Sequence, residues 1–119
     1  MEPARLIDWT HADTDQPMPG ITRRRVVGHN AMVSHFTLEE GVVVPVHQHI
    51  NEQISVVLSG KIRFTLQDQP DGSVREITLT DGMALHLPSQ VPHGATAEQR
   101  TIILDVFSPV TETTGVDQP

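Results

Sequence analysis

No stretch of this chain sustains a helical period, and from Ile21 to Phe107 short β-branched and aliphatic runs alternate with turn signals at roughly ten-residue spacing. That rhythm points to an all-β barrel or sandwich. Strands are expected at Ile21–Val27, Ala31–Leu38, Val42–His47, Gln53–Leu58, Lys61–Leu66, Val74–Leu79, Ala84–Leu87, His93–Thr96 and Thr101–Phe107. Ser59-Gly60, Asp71-Gly72 and Asp81-Gly82 each set a glycine between apolar runs, where a tight connection calls for positive φ. A length of 119 residues is one domain's worth of chain. The expected organisation is a polar arm over 1–20, rich in proline, then a barrel over 21–109 and a loose tail over 110–119.

Charge and cysteine content remove several function classes. Fifteen acidic against eight basic residues give a formal charge of -7, so a general nucleic-acid surface is not expected. The one basic run, Arg23 to Arg25, reads as the solvated edge of a strand. Zero cysteines exclude disulfides, zinc ribbons, iron–sulfur clusters and thiol nucleophiles, and leave any metal to imidazole and oxygen ligands. The N-terminus has no apolar leader segment and no run approaches a membrane span, so a cytoplasmic location without membrane contact is expected.

The chemistry concentrates in GVVVPVHQHINEQISVVLSG, Gly41 to Gly60. On a strand, His47 and His49 would share one face by the two-residue period. Gln53 follows four residues after His49, and His93 closes a turn bracketed by Pro88 and Pro92. In the final run, TIILDVFSP, Ile103, Asp105 and Phe107 share a face while Ile102, Leu104 and Val106 take the other. An aspartate between two apolar faces is rare unless paired or employed. His86 reads as core or subunit-interface packing, and Trp9 as a pin fastening the arm to the barrel or to a partner subunit.

Two gapped motifs here resemble those of the cupin superfamily. Gly41, His47, His49 and Gly60 fall in register with its first motif, in which Gln53 stands where a glutamate is usual, and Gly82, Pro88, Pro92 and His93 match the second. The resemblance implies a jelly-roll β-barrel holding one divalent metal ion (Zn, Ni, Mn or Fe) through His47, His49, Gln53 and His93; Glu52 should point to the other face. These four ligands are all neutral, so the ion would keep its full charge and prefer anionic oxygens. At ~4 Å, replacing a ligand carboxylate by an amide removes a repulsion of about 4 kcal/mol on a substrate carboxylate at an effective dielectric of ~20.

The HxHxxxQ spacing, VLSGKIRF and LDVFSP are similar to the KdgF family of small cupins, the pectin degradation proteins, whose barrel opens 4,5-unsaturated uronates to linear ketones. That resemblance implies that Asp105 and Phe107 line the pocket as catalytic residues. A family arginine shortly after this motif has no counterpart in Val110-Thr111-Glu112. The expectation is a metal-dependent isomerase taking a small anionic substrate, and a homodimer. An iron-dependent dioxygenase and a non-catalytic sugar- or effector-binding barrel are the alternatives.

Overall fold

The computed structural model describes residues 1–117; Gln118 and Pro119, the end of the expected tail, lie outside the described residues. The strands are β1 (Asp15–Met18), β2 (Ile21–Val27), β3 (Met32–Leu38), β4 (Val43–His47), β5 (Glu52–Ser59), β6 (Lys61–Leu66), β7 (Arg75–Thr80), β8 (Ala84–Leu87), β9 (His93–Ala97) and β10 (Thr101–Ser108). They form a six-stranded sheet, β1-β2-β3-β10-β5-β8, and a four-stranded sheet, β4-β9-β6-β7. Every pairing is antiparallel, and the two sheets make the expected jelly roll. Among the described residues no helix is long and apolar enough to cross a membrane.

The two-residue period sorts the side chains. In β6, Ile62, Phe64 and Leu66 are buried while Lys61, Arg63 and Thr65 are partly exposed. They meet Phe36, Val57 and Ile103 of the larger sheet in one apolar core. Each such side chain contributes about 1.5–3 kcal/mol on burial.

The three expected glycine turns all have positive φ, at Gly60 (112°), Gly72 (78°) and Gly82 (82°). Gly60 is the most constrained of the three. Its amide donates to Asp81 Oδ1 at 2.7 Å, and a Cβ there would collide with the Arg100 carbonyl and with Thr101. Gly60→Ala should therefore cost about 2–3 kcal/mol, through strain and displaced backbone. A thermal melt should fall by on the order of 10 °C; an unchanged melt would show that β5 and β10 can part freely.

Three readings of the sequence need correction. Arg23 is not solvated: it faces inward at 3% exposure and donates to Asp15 through Nε (3.0 Å) and Nη2 (2.6 Å). Those bonds anchor β1, a strand hidden within the polar arm because Pro17 disguises it. Proline is tolerated there because β1 is the sheet edge. Trp9 packs its ring 5.2 Å from that of His35, so the arm is pinned to its own barrel. His86 is not in the core either; it is exposed and pairs with Glu52 at 2.6 Å.

Candidate metal centre

The antiparallel ladder between β4 and β9 sets His47 directly opposite His93. Gly94 permits the close approach, since a Cβ there would sit 2.9 Å from the Val44 carbonyl oxygen. His49 lies beyond the end of β4, in the connection to β5. The loop, not strand periodicity, turns it inward, which corrects the reason expected from its spacing. The ring centroids are 4.4 Å apart for His47 and His93, 5.1 Å for His49 and His93, and 5.7 Å for His47 and His49.

Each imidazole is oriented by main chain. His47 Nδ1 donates to the Pro45 carbonyl (2.8 Å), His49 Nδ1 to that of Asn51 (3.0 Å) and His93 Nδ1 to that of Val91 (2.9 Å). A carbonyl oxygen only accepts, so each Nδ1 carries a hydrogen, which in the neutral ring leaves Nε2 with its lone pair. One ligand atom from each ring can be chosen within 4.8 Å of the others, so the rings can share one cation once they draw in to the ~2.1 Å of a metal–nitrogen bond. Burial pushes the His93 pKa down to about 4, with the Val91 bond opposing and the neighbouring imidazoles assisting. Burial likewise lowers His47. Both are therefore neutral, as metal ligands must be.

Gln53, on β5, is buried at 4% exposure. Its Oε1 lies 3.1 Å from His49 Nε2, and its Nε2 donates to Ser55 Oγ at 2.9 Å. Two lone pairs thus face each other across a short gap, which a shared cation would relieve. The residues present fit a divalent metal. Glu52 points to the opposite face, where it meets His86. Among the described residues, no carboxylate joins the three-histidine group.

Asp105 sits on β10 opposite Ser55 of β5 and Ser34 of β3. It lines one cavity with His47, Gln53 and His93. The residue keeps a little exposure, but its Oδ1 is enclosed without a hydrogen-bond partner. Burial raises the Asp105 pKa to about 7, against the pull of Ser55 and Gln53. Phe107, 1% exposed, stands edge-on to His49 with centroids 5.8 Å apart. The cluster thus combines three imidazoles, an amide, an apolar ring and a carboxyl with a pKa near neutrality.

Sequence reasoning missed the segment that closes this cavity. Thr114 is 3% exposed, and Thr114 and Val116 line the cavity beside His47 and Asp105. The segment expected to be a loose tail is packed as far as Asp117, which accepts from Arg23 Nη1 at 2.8 Å. No period-two pattern announced it, since the adjacent Thr114 and Gly115 are both buried.

The family model for the cupin domain matches residues 34–107. An RmlC-like cupin from Shewanella frigidimarina superposes with a TM-score of 0.80 at 24% identity, over 92% of this chain and 95% of that one. KdgF from Halomonas sp. gives 0.78 at 27% identity, over 92% and 97%. Bacillus subtilis oxalate decarboxylase, described with Mn(II) centers, gives 0.79 at 19% identity, over 90% of this chain but 30% of its own. The first and third likenesses show the shared fold. No curated protein matches the sequence.

Proposed function

The chain belongs to the cupin domain family, and from that membership we propose that it is a metal-dependent isomerase that opens small 4,5-unsaturated uronates to linear ketones. The observation that carries the reading is the enclosed, unpartnered Oδ1 of Asp105 in the same cavity as His47, Gln53 and His93. The likeness to KdgF from Halomonas sp., along nearly the whole of both chains, supports it. His47, His49, His93 and Gln53 would hold the divalent ion, which supplies Lewis-acid stabilisation of anionic oxygen. The donor set lacks the carboxylate of the two-histidine, one-carboxylate iron site, which favours this chemistry over oxygen activation.

The chain's own groups then do the rest. Asp105, with a pKa of about 7, is poised to take the proton of the anomeric hydroxyl. The ring bond breaks, leaving an aldehyde and an enolate oxygen. Asp105 returns the proton to the carbon end of that enolate, completing a ketone, so nothing is gained or lost overall. Phe107 packs edge-on against His49, an apolar backing that would help keep water from the reacting atoms.

Two measurements test the reading: loss of the conjugated double bond when metal-loaded protein meets an unsaturated uronate, and the response to Gln53→Glu. The variant should hold metal at least as well yet bind the anionic substrate more weakly by about 10-fold or more, because the added carboxylate repels it. Absence of turnover with zinc, nickel, manganese and iron alike would refute the isomerase. Equal substrate affinity in the two proteins would refute the role given to the neutral ligand set.

A further inference from the structure

The C-terminal segment occupies the place a ligand would need. Gly115, with φ of 91°, lies so close to the His47 imidazole that an added Cβ would overlap Nε2, the atom that faces the centre. Val116 packs against the core cluster. Arg25 Nη1 donates to the Glu112 carbonyl at 3.3 Å, and Asp117 Oδ2 accepts from the Thr114 amide at 3.1 Å. That same oxygen takes the bond from Arg23. Asp117 follows Gly115 by only two residues, at most about 7 Å of chain, so the segment that presses on His47 is the same one that places a carboxylate on Arg23.

Arg23 explains why a carboxylate goes there. Its guanidinium is buried at 3% exposure, with Nε and Nη2 committed to Asp15. The remaining Nη1 points to Asp117, whose side chain is 18% exposed. We infer that Arg23 Nη1 is a carboxylate subsite of the metal pocket, which residues Thr111–Asp117 fill as an internal ligand until an anionic substrate displaces them. Exchanging one carboxylate for another leaves the charge around Arg23 unchanged, and Asp15 holds the guanidinium in place throughout. The inference rests on the anion-binding metal pocket proposed above, but not on the ring-opening step.

Two full-length variants test it. Asp117→Ala removes the bond to Arg23; Gly115→Val keeps the Asp117 charge but cannot seat beside His47. D-galacturonate and uncharged D-galactose serve as probes by calorimetry on manganese-loaded protein, and chelator extraction reports how well the metal is covered. Both variants should bind galacturonate about tenfold more tightly, the worth of one charge-assisted hydrogen bond no longer competed for, with no gain for galactose. Both should also release manganese to the chelator about tenfold faster. Unchanged galacturonate affinity in both variants overturns the inference, as does an equal gain for galactose. Galacturonate binding that behaves as expected, in a protein inert toward unsaturated uronates, would count against the isomerase alone.

Discussion

Asp105→Asn should fold, keep its metal, lose turnover of unsaturated uronates by about 10²-fold or more, and yet melt higher than the parent at pH 8. The amide preserves shape but moves no proton. Its stability gain follows from the buried carboxyl. A folded pKa of about 7, raised from 3.8, means that the folded protein holds this proton more tightly than the unfolded chain does. The resulting cost is absent below about pH 4, grows as pH rises towards 7, and is full above it. Asn escapes that cost, a gain of about 2–4 kcal/mol at pH 8 and on the order of 10 °C in Tm. The melts belong on metal-free protein, since a cation would favour the charged carboxylate. A variant with parental turnover removes Asp105 from the chemistry; one that melts lower at pH 8 gives it a structural role instead.

His93→Ala should lose metal affinity by well over the ~100-fold typical of disturbing a ligand's support, because it removes a ligand outright. Elemental analysis after dialysis reads the loss, and stoichiometric metal in the variant would refute the assignment. The metal-free variant carries a second signature. The parent buries His93 as a neutral ring with its pKa near 4, so the unfolded chain, whose histidine has the ordinary value near 6.5, takes up the proton first. Stability from this group is present above about pH 6.5 and is lost as pH falls towards 4, about 3 kcal/mol in all. His93→Ala should show a flatter acid limb over that window. Parallel limbs in the two proteins would mean that the ring is more hydrated than its burial indicates.

Most of the barrel was legible because its strands obey local rules. β2, β6 and β8 coincide with the expected spans, and the glycine turns sit where apolar runs stop. What escaped depends on partners distant in sequence. β1 is held by Arg23, eight residues away, and no local pattern announces that an arginine in a basic run turns inward. The tail was misread for the same reason, since Asp117 reaches Arg23 across 94 residues. The histidine cluster was legible as a set, although its route was not: His49 arrives by a loop carbonyl at Asn51, a geometry that spacing alone does not encode. Asp105 was the converse case, because the apolar residues around it on β10 revealed its confinement before any neighbour was known.

The three carbonyls that steer the imidazoles belong to Pro45, Asn51 and Val91, and every amino acid has a carbonyl. The orientation of the cluster is therefore a property of the path of the backbone and not of the side chains at those positions. Substitutions there that preserve the path would leave the imidazoles aimed as before. Across diverging copies of such a chain, this supporting layer can change its letters freely while its geometry is inherited, so it would leave no signature in a comparison of sequences. The coordination would outlast the resemblance by which it is recognised.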